Sequence, residues 1–299
     1  MVRKHTRRAV KAAFAIAFGV AIVLGGSAQA AQPTVTVGTK NFTEQFVLGQ
    51  LYKQALQAKG FKVAYKENIG SSELIDTALT SGKINFYPEY TGVIVADLAH
   101  KQPPATAKAN FAAAKAFEEK RGYTLLTQTP FYDSDSFAVL KTTAKKYGLK
   151  TIFDVKKVPN ASYAGYPECV KRPTCFLGLK NVYGLKKLKF VPIGSIPVTA
   201  LIDQGKATGG DIFSTQPELA SGKYTLLADT KHIYGFQNVA PVVSQDLVKQ
   251  LGPKFVQTVN AVSAKLTLPA MVAMNKAVGV DKKSPAAVAK AFLEANGLT

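Results

Sequence analysis

Apolar positions set the elements of this chain before any composition is counted. Thr34-Val35-Thr36-Val37 alternates with period two and stops at Gly38, which predicts a strand. Phe46, Val47, Leu48, Leu51, Tyr52, Ala55 and Leu56 then recur with helical spacing. Asn41 is placed to cap that helix, with Glu44 at the reciprocal position of a capping box and Gly60 as the stop. Phe61, Val63 and Tyr65 predict a second strand, Gly70-Ser71-Ser72 a loop, and Leu74, Ile75, Ala78 and Leu79 a short helix closed by Ser81-Gly82. A third strand, Ile84 to Tyr87, runs into the corner Tyr87-Pro88-Glu89-Tyr90-Thr91-Gly92. Proline there is expected to end the strand, Thr91 or Gly92 to open a helix, and the Tyr90 ring to project into a crevice. This alternation predicts a parallel α/β lobe that gathers Lys40 to Gln45, Ser71-Ser72 and Tyr87 to Thr91 on the rim where ligands bind.

A polar helix (105–120) and a strand (Tyr123 to Leu126) lead to Pro130-Phe131-Tyr132-Asp133-Ser134-Asp135 and the apolar run Phe137 to Leu140. The pattern then restarts. Thr151 caps a short helix, Ser162 to Ala164 and Leu188 to Val191 read as strands, Ser195 caps a helix through Leu201 and Ile202, and Asp211-Ile212-Phe213 ends another strand. Thr77-Ala78-Leu79 with Gly82-Lys83 has a counterpart in Thr199-Ala200-Leu201 with Gly205-Lys206, so each half presents an aromatic after a helix-turn-strand unit. Tyr224 to Leu227 and Val239 to Val243 are the last strands, and everything after Ser244 is helical. A helical tail with no lobe of its own must pack on the first lobe. The chain then crosses between lobes twice, near Ser136 to Leu140 and near Asn238 to Val242, with two shared strands acting as a hinge. The expected divisions are a leader (1–30), a first lobe (31–136 and 242–299) and a second lobe (137–241).

Arg3, Lys4, Arg7, Arg8 and Lys11, the apolar run Ala12 to Gly26 and Ala28-Gln29-Ala30 have the layout of a cleaved secretory signal, which places the mature protein outside the cytoplasm. The cysteines are Cys169 and Cys175, with none at the cleavage site to take a lipid, so a periplasm is favoured. In an oxidising compartment the two are expected to form one local disulfide. The formal charge of +19 becomes +14 without the five leader cations. The lysines are scattered, which argues for a solvated surface and against nucleic acid. Of three histidines, His5 lies in the leader, while His100 and His232 are isolated. No nucleophile-base spacing, metal motif or phosphate loop is present, so neither an enzyme nor a resident metal or cofactor is expected.

The runs Val37-Gly38-Thr39-Lys40-Asn41-Phe42-Thr43-Glu44-Gln45-Phe46 and Tyr87 to Gly92, with Lys150 to Asp154, Tyr183-Gly184-Leu185, Phe213-Ser214-Thr215, Asn238 to Val243 and Ala291 to Gly297, resemble the osmoprotectant (glycine betaine, carnitine, choline) substrate-binding proteins of ABC importers. The resemblance spans the mature chain. It implies a monomeric, two-lobed periplasmic-binding-protein fold of type II, α/β, that closes at a hinge and hands its ligand to a membrane permease driven by an ATPase. A quaternary ammonium donates no hydrogen bonds, so aromatic faces must hold it. By resemblance the family's cage falls on Tyr90, on Phe137 and Phe213 as phenylalanines, and on Gln237, which offers no ring. Gln45 matches a polar contact and Val93 a position that tunes ligand choice, while Thr91 and Thr215 are expected to orient the polar end. Asp133 and Asp135 either offer carboxylates to a cation or form a solvated turn. The alternative ligand is an amino acid or another small zwitterion or anion, held by backbone amides near Asn41 and Ser72.

Overall fold

The computed structural model describes residues 1–2, 32–194 and 196–299. The body of the expected leader, from Arg3, and the expected cap Ser195 lie outside the described residues. Ten strands form two sheets. Val35–Lys40 (β1), Val63–Gly70 (β2), Phe86–Tyr90 (β3), Tyr123–Leu125 (β4) and Val239–Ser244 (β10) build the first, in the order β2-β1-β3-β10-β4. Phe137–Leu140 (β5), Ser162–Gly165 (β6), Lys189–Pro192 (β7), Gly209–Asp211 (β8) and Tyr224–Leu227 (β9) build the second, in the order β7-β6-β8-β5-β9. The sheets share one plan: three parallel strands, then an antiparallel strand entered from a crossing, then an edge strand. The repeated helix-glycine-strand unit sits at the same place in each, with Gly82 (φ 71°) and Gly205 (φ 67°) making left-handed turns that favour glycine.

Each sheet buries both faces. Val35, Val37 and Phe86 pack on one side of the first sheet against the helix Thr43–Ala58 (α1), while Tyr87, Ala240 and Val242 pack on the other against the helix Ser72–Thr80 (α2) and Ile94-Val95. The helical tail packs on the first lobe. Val259, Val262, Met271, Met274, Val288 and Leu293, on helices Gln245–Lys265, Leu268–Gly279 and Pro285–Ala295, share one core with Leu48, Leu51 and Leu56 of α1. Gly252 (φ 69°) and Pro253 interrupt the first of these helices. Ser284 caps the last helix, with Pro285 in its first turn. Thr151 and Asp154 form the capping box of the short helix Ile152–Lys157. Among the described residues no helix is long and apolar enough to cross a membrane.

Several expectations need correction. The helix α1 begins at Thr43 with Phe42 as its uncapped boundary, and Asn41 is exposed. Glu44 is free for another task because it does not reach back to a cap. The strand β3 does not end at Pro88 but runs through it to Tyr90. It can do so because Pro88 faces Pro241 of β10, at a cross-strand pair that needs no N–H from either residue. The crossings are not shared strands: β5 belongs wholly to the second sheet and β10 to the first. Val239 to Pro241 therefore lie in the first lobe, a few residues earlier than expected. The lobes are joined instead by two irregular segments that meet at an isolated antiparallel bridge, Tyr132 to Asn238.

Candidate functional site

A cleft lies where the carboxyl ends of β1 and β3 face the carboxyl ends of β6 and β8. Its aromatic walls come from both lobes. Phe42 and Tyr90 stand on the first lobe with centroids 6.2 Å apart and near-parallel planes. Tyr166 and Phe213 stand on the second, also 6.2 Å apart, at 12°. The gap is bridged by Phe42 and Phe213 at 5.6 Å. Tyr90 ends up there because its strand continues past Pro88 and stops at the start of the helix Thr91–Val93.

Beneath the first-lobe rings lies a buried ion pair. The Lys40 ammonium is 2.5 Å from Glu89 Oε1, donates to Ser72 Oγ at 3.1 Å, and sits 4.3 Å from the Tyr90 ring centroid and 5.5 Å from that of Phe42. Both members are almost fully buried. Glu89 Oε1 also accepts from the Tyr90 backbone N–H at 2.7 Å, so one carboxylate oxygen fixes both cation and ring. The Tyr90 hydroxyl donates to Glu44 Oε1 at 2.9 Å, and Asn275 donates to Glu44 Oε2 at 2.9 Å. Burial raises the Tyr90 hydroxyl well above its ordinary value, and the neighbouring Glu44 adds to this, which keeps the hydroxyl a donor.

The second lobe meets the first through the cysteine loop. Cys169 and Cys175 are joined by a disulfide, as expected. Within that loop Arg172 reaches Glu73 of α2 with two bonds, 3.1 and 2.9 Å, and Thr174 donates to Asp97 Oδ2 at 2.8 Å. Burial alone would push Glu73 up, but the Arg172 guanidinium outweighs it and holds the carboxyl down at about 2. Burial pushes Asp97 up to about 6 even with Arg172 nearby. The two sulfurs lie within 4.8 Å of a carboxylate oxygen of Asp211, but sulfurs bonded to each other are not thiolates, so these three residues do not form a metal-ligand set.

Of the residues expected from sequence, Tyr90, Phe213, Val93, Asp135 and Gln237 line this cleft, as does Asp133. Phe137 does not. It is fully buried one layer behind, 4.8 Å from the Tyr163 ring, because its place on β5 points it into the second-lobe core. Gln45 is also fully buried, its amide oxygen accepting from the Lys40 backbone N–H at 3.4 Å. The Thr91 hydroxyl donates to the Phe236 carbonyl and accepts from Asn110, so it supports the corner from below. Thr215 borders an adjoining cavity with Glu44 and Asn275, and Asn41 stands on the outer rim.

Gln237 acts as a strut. Its oxygen accepts from the Val93 N–H at 3.2 Å, and its nitrogen donates to the Tyr234 carbonyl at 2.8 Å. It packs so tightly on Gly92 that a Cβ there would lie 2.6 Å from the amide oxygen. Sequence reasoning put Lys40, Phe42 and Glu89 on the ligand rim without singling them out, and it did not pick out Tyr166, Arg172 or Asp211. Phe42, Lys40 and Glu89 lie inside the two motifs, while nothing in the sequence marks Arg172 or Asp211.

Comparison with known proteins assigns the chain to a family. A family model described as the substrate-binding domain of ABC-type glycine betaine transport systems matches residues 33–295. The glycine-betaine-binding protein of Pseudomonas aeruginosa is 29% identical over 287 residues, covering 91% of this chain and 90% of that protein. The carnitine transport binding protein OpuCC of Listeria monocytogenes is 26% identical over 91% of this chain and 89% of its own length. Among solved structures, a glycine betaine/carnitine/choline ABC transporter protein superposes with a TM-score of 0.71 at 23% identity, over 88% of this chain and 99% of the other. A choline-binding ABC-transporter protein in complex with choline superposes with a TM-score of 0.66 at 15% identity, over 88% of this chain and 89% of the other. The chain belongs to the family of substrate-binding domains of ABC-type glycine betaine transport systems.

Proposed function

We propose that this protein captures a small quaternary-ammonium osmoprotectant outside the cytoplasm and delivers it to the permease and ATPase of an ABC importer. One observation carries the reading: the Lys40 ammonium already rests 4.3 Å from the Tyr90 ring centroid, so the ring faces of this cleft accept a cation. Phe42, Tyr166 and Phe213 offer further faces around the same space. Each face contributes about 0.5–1 kcal/mol when exposed and about 2 kcal/mol or more when desolvated, and two lobes meeting over the ligand exclude the water. Nothing in the cleft has the arrangement of a nucleophile with its base, which supports carriage over turnover. The signal-like leader supports export to a periplasm, and the protein works as a monomer that docks on the permease.

Calorimetric titration tests this. Protein freed of carried-over ligand by unfolding and refolding should bind glycine betaine, choline, carnitine or proline betaine with micromolar or tighter affinity, and amino acids at least about tenfold more weakly. Binding of amino acids alone would favour the smaller zwitterions held at the helix starts near Asn41 and Ser72, and would overturn the quaternary-ammonium reading.

A further inference from the structure

The two cations that line the cleft are already paired. Glu89 neutralises Lys40, and Arg172 is held by Glu73 with Asp97 at 4.0 Å. Asp133, Asp135 and Asp211 line the same cleft without a cation of their own. Asp133 accepts from the Thr215 N–H at 3.2 Å and from the Ser214 hydroxyl at 3.4 Å. Asp211 is different. It ends β8, is 4% exposed, and its Oδ1 receives no hydrogen bond. Asp135 lines the cleft with it, near enough for its charge to act on Asp211.

Burial pushes Asp211 well above the ordinary carboxylate range, and the charge of Asp135 adds to the rise. Burial also raises Asp135, against the pull of Arg172 and, more weakly, Lys40. The other ionisable groups facing the pair are Tyr163 and Tyr234 behind Asp211, and Asp133 and Asp97 beside Asp135.

We infer that the Asp135–Asp211 pair is a specificity-determining acceptor subsite, which selects quaternary-ammonium ligands whose other end donates a hydrogen bond and whose net charge is positive, and disfavours zwitterions ending in a carboxylate. This rests on the quaternary-ammonium reading and refines it. A ligand carboxylate would enter a space where every cation is already paired and three carboxyl groups remain. A hydroxyl or amine donor supplies what Asp211 Oδ1 lacks. The incoming positive charge favours the ionised form of both carboxyl groups, so a proton held by the free pair passes to solvent as the cation binds. The affinity for such a cation therefore rises with pH until the free pair has lost its proton.

The test is titration of the ligand-free protein with choline, (2-aminoethyl)trimethylammonium, tetramethylammonium and glycine betaine, in two buffers of different ionisation enthalpy. The two donor-bearing cations should bind at least about tenfold more tightly than glycine betaine, with proton release, and choline affinity should rise as the pH is raised above the ordinary carboxylate range. Asp211→Asn should narrow the preference for choline over glycine betaine by about tenfold and flatten the pH dependence. Asp135→Asn should act the same way and serves where the first variant fails to fold. Glycine betaine binding as tightly as choline, absence of proton release, or equal loss of both ligands in the variants would overturn the subsite. Failure of the underlying reading looks different: no ammonium compound binds the wild-type protein, tetramethylammonium included.

Discussion

Glu89→Ala should destabilise the folded protein by about 3–5 kcal/mol, because it leaves the Lys40 ammonium buried without its counter-ion. The size follows from asymmetry. Forming a buried pair gains little net stability, since both ions lose water, but removing one partner strands the other at the full desolvation cost. Lys40 would keep only the Ser72 hydroxyl and the faces of Tyr90 and Phe42. Denaturant unfolding should show the loss as a lower midpoint with little change in slope. The double change Lys40→Met with Glu89→Leu should recover at least half of it, since no charge then remains unpaired. A Glu89→Ala protein within about 1 kcal/mol of wild type would mean that the ammonium finds water, and that the pair does not hold the floor of the cleft.

Tyr90→Ala should weaken quaternary-ammonium binding at least tenfold, a loss of about 1.4 kcal/mol or more, while Tyr90→Phe should stay within about threefold of wild type. The two variants separate face from hydroxyl. Alanine removes the face on which a cation rests, whereas phenylalanine keeps it and removes only the bond to Glu44. Stability should fall in both. Phenylalanine leaves Glu44 Oε1 short of its donor, costing about 1–2 kcal/mol, and alanine adds a cavity. Burial raises Glu44 against the lowering by its hydrogen bonds, so losing one should raise it further and make the Tyr90→Phe cost smaller at low pH, where Glu44 takes up a proton. Calorimetric titration of both variants at pH 7 gives the comparison. Equal losses for both would shift the role of Tyr90 from its face to its hydroxyl.

The elements were legible wherever a segment is amphipathic on one period. Leu48, Leu51, Tyr52 and Leu56 mark one face of α1, and the tail helices show faces that only the first lobe could cover. Local chemistry was legible too: Thr151 as a helix cap, and the disulfide between Cys169 and Cys175. What failed was whatever depends on a distant partner. Pro88 reads as a strand breaker until Pro241 is seen opposite it. Glu44 reads as half of a capping box, yet its carboxylate is held by Tyr90 and by Asn275, far along the chain. Phe137 has the residue type a cage needs, but its position on β5 turns it into the core, and Phe42 with Tyr166 supply rings instead. The pairing of Arg172 with Glu73, 99 residues away, leaves no mark on either local pattern.

The central claim is that the ring faces of Phe42, Tyr90, Tyr166 and Phe213 hold the ligand's quaternary nitrogen, and a crystal structure of the mature protein with bound choline tests it most directly. The nitrogen should lie within about 6 Å of the Tyr90 centroid and of at least one second-lobe ring, with Lys40 still on Glu89. A ligand seated outside this cleft, or inside it with the nitrogen turned away from all four rings, would contradict the account.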